Sequence, residues 1–149
     1  MIPTNEQIAA LVRDDSVHKS VYTDPQLFAL EMQRIYGQAW IYVGHESQVK
    51  NPGDYHTTRI GDQDVILVRG ADKRVNVLYN RCPHKGAKLV AEGDGNVGKF
   101  FRCPYHAWTF KLDGQHLSAP LKNAFEGTCF NPSHPDFSMV GLARVDSYR

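Results

Sequence analysis

The spacing of hydrophobic residues follows a helical period up to about residue 40 and a strand period after it. Thr4 and Gln7 have the spacing of a capping box and precede apolar residues three to four positions apart, which predicts a first helix. Asp24-Pro25 joins an N-cap acid to a first-turn proline and predicts a second helix, which ends near Gly37. The apolar stripe of this helix is predicted to pack in the core and consists of Phe28, Met32, Ile35 and Ala39.

Beyond residue 40 the chain consists of short β-rich runs separated by turn residues. The predicted strands are Trp40–Val43, Tyr55–Ile60, Asp64–Val68, Val75–Tyr79, Lys99–Arg102 and Ala107–Lys111. Asp113-Gly114 predicts a hairpin turn, residues 118–138 are predicted to be irregular, and Met139–Val145 predicts a last strand. Short strands at this spacing favour a mainly β fold, an antiparallel sandwich or barrel, over alternating βαβ units.

Composition narrows the class of protein without identifying it. The 149 residues suffice for one domain with a sizeable core, and 42% hydrophobic with 22% charged residues are ordinary for a globular chain. A net charge of +1 gives no global basic field, so we expect no nucleic-acid partner. No apolar run approaches the roughly 18 residues of a membrane span, and residues 1–6 lack the pattern of a signal peptide. We therefore expect no membrane association and a cytoplasmic location.

Two cysteine–histidine pairs carry the candidate chemistry. Cys82-Pro83-His84 and Cys103-Pro104-Tyr105-His106 lie in loops between predicted strands, with eighteen residues between the pairs. The proline after each cysteine stiffens its loop, and Gly86 allows a tight turn just beyond the first pair. Three cysteines are an odd count, which argues against a closed disulfide framework. The third, Cys129, has no partner at ligand spacing and is predicted to be a free thiol.

Two thiolates and two imidazoles can hold either of two metal centres. A structural zinc ion accepts two cysteines and two histidines in a tetrahedron. Zinc fingers, however, usually draw both cysteines from one segment and both histidines from another, whereas here each loop supplies one of each. That mixed arrangement suits a two-iron cluster in which one iron takes the cysteines and the other the histidines. The pattern therefore favours a [2Fe-2S] cluster, with structural zinc as the alternative.

The residues around both pairs resemble a known family. Residues 82–87 (CPHKGA) and 103–110 (CPYHAWTF) resemble the two cluster loops of Rieske [2Fe-2S] proteins. Within that superfamily, residues 22–40 and 44–55 are similar to the N-terminal part of the large (α) subunit of aromatic-ring-hydroxylating dioxygenases. Lys85 stands where that family usually has arginine, and the eighteen-residue gap is slightly long. Neither departure touches a candidate ligand.

The resemblance implies a ligand set and a division of the chain. Cys82 and Cys103 would bind the inner iron, and His84 and His106 would bind the outer, more exposed iron. Because two neutral imidazoles replace thiolates, such a cluster has a higher reduction potential than an all-cysteine cluster. The implied fold is a Rieske-type antiparallel β sandwich, with a helical segment at 1–40, a Rieske domain at 41–149 and a small cluster-binding subdomain at about 80–114.

Four further residues are expected to surround the cluster. Trp108 is expected to pack beside the second loop and to exclude water. Tyr105 is expected either to donate a hydrogen bond near a ligand or only to pack. Lys85 and Gly86 directly follow the first ligand histidine. Lys85 is expected to affect contacts with a redox partner or a neighbouring subunit.

The resemblance also implies a function and partners. In that family an NADH-dependent reductase, often through a ferredoxin, reduces the cluster, and the electron crosses to a mononuclear Fe(II) in the catalytic domain. The hand-off is expected to reach a neighbouring α subunit of a trimer, with a β subunit as a further possible partner. This chain lacks the catalytic domain, so we expect a fragment or truncated product that relays electrons, contains no catalytic residue and hydroxylates no arene by itself.

Two other functions compete with this interpretation. A free-standing Rieske ferredoxin would carry the same cluster as a diffusible protein, but such a ferredoxin starts directly at its first strand, and the forty N-terminal residues argue against it. A zinc-stabilised interaction module is the second alternative. It would be colourless, whereas a Rieske cluster is red-brown.

Overall fold

The computed structural model describes residues 3–91 and 93–121. The chain divides into two compact units, Met1–Tyr42 and Val43–Arg149. Short helices make up the first unit and antiparallel strands the second, so the predicted mainly β architecture is confirmed. Among the residues described, none lies in a helix with the length and apolarity that a membrane crossing demands.

Local capping determines where the helices of the first unit begin. The helices are α1 (Asn5–Ala9), α2 (Ser20–Thr23) and α3 (Pro25–Glu31), and a π-helical turn at Met32–Tyr36 continues α3. Thr4 and Gln7 form both hydrogen bonds of the predicted capping box. The Asp24 carboxylate accepts a hydrogen bond from the Gln26 N–H at 2.8 Å, with Pro25 in the first turn. Both predicted helix starts are confirmed.

The predicted apolar stripe of the second helix is wrong. Phe28 is 58% exposed and Ile35 is 50% exposed, whereas Leu27 and Leu30 are buried. The winding changes from α to π at Met32, which adds about one residue per turn. The buried face of α3 is thus the one that carries Leu27 and Leu30, which leaves Phe28 exposed, and after Met32 the positions no longer follow the α-helical period.

The second unit contains two antiparallel sheets. The first sheet has the order β3-β2-β1-β4, from β1 (Asp54–Ile60), β2 (Gln63–Arg69), β3 (Val75–Tyr79) and β4 (Asp94–Asn96). The second sheet has the order β5-β6-β7, from β5 (Phe100–Arg102), β6 (Thr109–Lys111) and β7 (His116–Ser118). A 3-10 turn at Glu46–Gln48 precedes β1.

Most of the strand predictions are confirmed, and one is wrong. Five predicted strands correspond to β1, β2, β3, β5 and β6, whereas the predicted strand Trp40–Val43 is wrong because these residues join neither sheet. The strand β7 was not predicted. It begins at His116, two residues after the Asp113-Gly114 turn. The predicted last strand at 139–145 and residues 122–138 of the predicted irregular stretch lie outside the described residues.

Polar side chains attach β4, the second strand that was not predicted, to the first sheet. Asp94-Gly95-Asn96 has no apolar side chain, so its hydrophobic pattern carries no strand signal. Instead, the Asp94 carboxylate bonds the His56 ring, and Asn96 donates a hydrogen bond to the Asp54 carboxylate at 2.7 Å. These cross-strand bonds fasten β4 to the edge of β1.

The central strand β2 is buried on both faces and separates two hydrophobic cores. Ile66 and Val68 point into the first core, which also contains Phe101, Phe110 and Leu112. The alternate residues of β2 point into the second core, formed by Val49, Val65, Leu67 and Val77. Both loop cysteines and Trp108 belong to the first core. The predicted site is therefore built on apolar packing, which excludes water from its inner side.

Candidate metal centre

The two cysteine-containing loops have the same backbone design. In the first loop, the Cys82 N–H donates to the Ala87 carbonyl at 2.8 Å, and the Gly86 N–H donates to the Cys82 carbonyl at 2.8 Å. In the second loop, the Cys103 N–H donates to the Trp108 carbonyl at 2.8 Å, and the Ala107 N–H donates to the Cys103 carbonyl at 3.0 Å. Each cysteine therefore closes a tight turn on the residues four and five positions later.

The residue four positions after each cysteine has a left-handed backbone, with φ of +73° at Gly86 and +55° at Ala107. Alanine is strained there and glycine is not. We expect Gly86→Ala to destabilise the protein by about 1 kcal/mol, although a Cβ at Gly86 meets no atom closer than 3.5 Å. The reciprocal change, Ala107→Gly, should be neutral or stabilising. Urea denaturation of both variants tests this, and equal losses of stability would contradict it.

The two cysteine side chains lie together at the base of the site. Cys82 is 1% exposed and Cys103 is 2% exposed, and neither forms a disulfide. The two side chains adjoin each other in the first core. Burial is the main cause that raises the pKa of the Cys82 thiol, while the backbone N–H groups of His84 and Lys85 donate to its sulfur and act in the opposite direction. Such N–H bonds stabilise a metal-bound thiolate.

The two imidazoles form the other half of the site. The ring centroids of His84 and His106 lie 4.6 Å apart, with the rings at 71°. Burial is the main cause that lowers the pKa of His84, and the charges of His106 and Lys85 lower it further. His84 is therefore held neutral, the form in which histidine binds metals. Its Nδ1 is buried and makes no hydrogen bond within the described part of the chain. A buried nitrogen in that state fits a metal ligand.

The predicted surroundings fall into a buried and an exposed group. Trp108 is buried and stacks on His84, with ring centroids 4.6 Å apart and the planes at 6°. Tyr105 is 65% exposed and lies against His106, with centroids 3.8 Å apart. Lys85 and Gly86 are exposed on the rim. Trp108 therefore walls the inner side of His84, and Tyr105 covers His106 at the surface.

Nothing in the sequence indicates that His116 packs against the residues around the site. His116 packs edge-on against Trp108, with centroids 5.3 Å apart, and against Phe110 at 5.8 Å. An isolated histidine after a turn gives no sign of this packing, because only the β6–β7 pairing brings it back to the loop.

The arrangement of the four candidate ligands favours two metal atoms over one. Across residues 3–91 and 93–121, no three His, Cys, Asp or Glu side chains are placed to hold a single metal ion. The thiols instead adjoin each other, and the imidazoles adjoin each other. A tetrahedral zinc ion needs all four donors around one point, whereas a Rieske [2Fe-2S] cluster needs one pair on each iron. The donor set therefore fits the cluster.

Comparison with known proteins agrees with this geometry. Residues 39–142 match the family model of the Rieske [2Fe-2S] domain. The chain is 36% identical over 129 residues to the benzene 1,2-dioxygenase α subunit of Pseudomonas putida, covering 87% of this chain and 28% of that protein. It is 41% identical over 106 residues to the glycine betaine monooxygenase oxygenase subunit of Chromohalobacter salexigens, covering 71% of this chain and 24% of that protein.

A solved structure of naphthalene 1,2-dioxygenase, a variant bound to phenanthrene, matches 97% of this chain and 32% of its own, with a TM-score of 0.82 and 32% identity. The chain thus spans less than a third of the length of each of these three relatives. A Rieske domain binds a [2Fe-2S] cluster, which is the cofactor the donor set fits. By sequence and by fold, the chain belongs to the Rieske [2Fe-2S] domain family of oxygenase α subunits.

Proposed function

We propose that this chain transfers single electrons through a [2Fe-2S] cluster held by Cys82 and Cys103 on an inner iron and by His84 and His106 on an outer iron. The observation that carries the proposal is the pairing of donors, with two buried, adjacent cysteines and two adjacent imidazoles supplied by equivalent loops. Bound there, the cluster supplies reversible one-electron chemistry at a potential above that of all-cysteine clusters.

The chain's own residues give the site an inner and an outer side. The thiols lie in the apolar core with Trp108, which keeps water from the sulfur ligands. His106 is exposed, so electrons enter and leave on the imidazole side.

A chain reduced by dithionite should pass one electron to ferricyanide. Retention of that electron would contradict a carrier role.

We further propose that the electron donor is a ferredoxin or an NADH-dependent reductase and that the chain works in the cytoplasm. The acceptor is a mononuclear Fe(II) held by a catalytic domain in a neighbouring α subunit of a trimer, with a β subunit as a further partner. The support is likeness to proteins named as α or oxygenase subunits. That likeness also favours an oxygenase domain over a free-standing ferredoxin.

The substrate of the whole oxygenase is proposed to be an aromatic ring, on the likeness to the benzene and biphenyl dioxygenases. The 41% identity to a glycine betaine monooxygenase supports a second candidate, oxidation of a quaternary ammonium compound. Assaying the full-length protein with benzene and with glycine betaine, in the presence of a reductase, separates the two. Product from only one class selects that candidate and rejects the other.

Replacing His84 or His106 by cysteine should lower the midpoint potential by about 100 mV or more, because an anionic ligand replaces a neutral one. The measurement is a redox titration of each variant that still assembles a cluster. Tyr105→Phe is the matched control, since this exposed ring touches His106 without being a candidate ligand. An unchanged or raised midpoint in the histidine variants would remove those residues from the ligand set.

A further inference from the structure

One strand presents polar side chains where the core requires apolar ones. Along β3, residues 76, 78 and 80 share a face, and Leu78 on that face belongs to the first core. The buried polar side chains of the described residues are Asn76 and Asn80, which flank Leu78 and are 5% and 4% exposed. Buried amides are costly unless they are bonded, so the partners of these two side chains indicate what the amides do.

Asn80 closes the first cysteine loop. Its Oδ1 accepts hydrogen bonds from the N–H groups of Leu89, at 2.9 Å, and Val90, at 3.2 Å. Its Nδ2 donates to the Val90 carbonyl at 2.9 Å. The backbone N–H of Asn80 bonds the Asp64 carbonyl of β2, which fixes this residue to the sheet. Three hydrogen bonds therefore fasten the far end of the segment 81–90 to the end of β3.

Asn76 connects β3 to the chain just beyond the strand that follows the second loop. Its Nδ2 donates to the Leu112 carbonyl at 3.2 Å, in a buried contact. Leu112 directly follows β6, the strand that continues from the second cysteine loop. The two asparagines lie four residues apart on one strand, which corresponds to roughly 13 Å along it. One buried amide thus ties the first cysteine loop to β3, and a second ties β3 to the end of the strand that follows the second cysteine loop.

We propose that Asn76 and Asn80 are positioning residues that set the separation between the Cys82–His84 and Cys103–His106 pairs. The proposal rests on the proposed function, because the pairs matter as ligands of one cluster. A metal cluster fixes the spacing of its ligands, so a change in loop separation alters its geometry and weakens its retention. The asparagines reach the cluster only through the loop backbones.

The experiment compares Asn80→Leu, Asn80→Ser and Asn76→Leu with Val77→Ala. Val77 is the matched control because it lies on β3 but points into the second core, away from the loops. All variants are loaded with cluster and compared by thermal melting, midpoint potential, electron paramagnetic resonance and iron release to a chelator.

We expect the Asn80 variants to release iron about tenfold faster or more, with a shifted midpoint and a broadened spectrum. Asn76→Leu should do the same more weakly. Val77→Ala should lower only the melting temperature.

Two results decide between positioning and general stability. If Asn80→Ser and Asn76→Leu change only the melting temperature, as Val77→Ala does, the proposal is overturned. A wild-type chain that assembles no cluster instead overturns the proposed function. In that case amide exchange of the metal-free chain still tests the anchoring. Asn80→Ser should speed exchange across residues 81–90 and leave β1 and β2 unchanged, and unchanged exchange at Leu89 and Val90 would overturn it.

Discussion

Serine in place of Cys82 or Cys103 is expected to abolish the cluster. We expect iron and the red-brown absorbance to fall below about a tenth of the wild-type level. Serine offers a hard oxygen where iron–sulfur clusters require a soft thiolate. Both positions are also buried, so water cannot replace the lost ligand. The described residues contain no third cysteine that could take its place. Colorimetric iron and labile-sulfide analysis of the purified variants gives the answer.

Cys129→Ser is the matched control for this substitution. The same chemical change at the third cysteine should leave cluster content intact, because Cys129 has no partner at ligand spacing in the sequence. Iron retained by Cys82→Ser and Cys103→Ser, or lost from Cys129→Ser, would mean that the assigned thiol pair is wrong.

Trp108→Ala is the substitution with the next largest expected effect. The indole is 4% exposed, stacks on His84 and contacts His116. Removing a buried aromatic side chain of this size costs about 3–5 kcal/mol of folding free energy. The change also opens the inner side of His84 to water, so we expect faster iron loss in addition to lower stability. Urea denaturation and iron release to a chelator measure the two effects separately.

Trp108→Phe keeps an aromatic ring against His84 and is the control for this site. It should lose less than half of the stability lost by Trp108→Ala and should retain iron better. If the two variants release iron at the same rate, the stacked ring does not protect the site, and Trp108 contributes to folding alone.

The sequence was most informative where short-range chemistry determines the outcome. The capping box at Thr4 and the Asp24-Pro25 helix start both predicted real helix N-termini, because capping depends on residues two or three positions apart. The Cys82 and Cys103 loops were likewise predictable from their spacing and flanking residues. The structure places the two imidazoles beside each other and the two cysteines beside each other.

Long-range pairing explains what could not be predicted. The strand β4 is held in part by a hydrogen bond between the side chains of Asp94 and His56, which are 38 positions apart. His116 joins the Trp108 packing only through the β6–β7 pairing. The asparagines at positions 76 and 80 did leave a signal, since two amides stand on either side of Leu78 on one face of an otherwise apolar run. Their partners lie in separate loops, so sequence pattern alone does not identify the contacts.

Electron paramagnetic resonance of the reduced chain, read together with its metal content, tests the central claim most directly. We expect about two irons and two labile sulfides per chain, with the lowered average g value of a cluster that has histidine ligands on one iron. A spectrum typical of an all-cysteine ferredoxin, or one zinc ion per chain with no iron, would contradict the assignment of Cys82, His84, Cys103 and His106 as Rieske ligands.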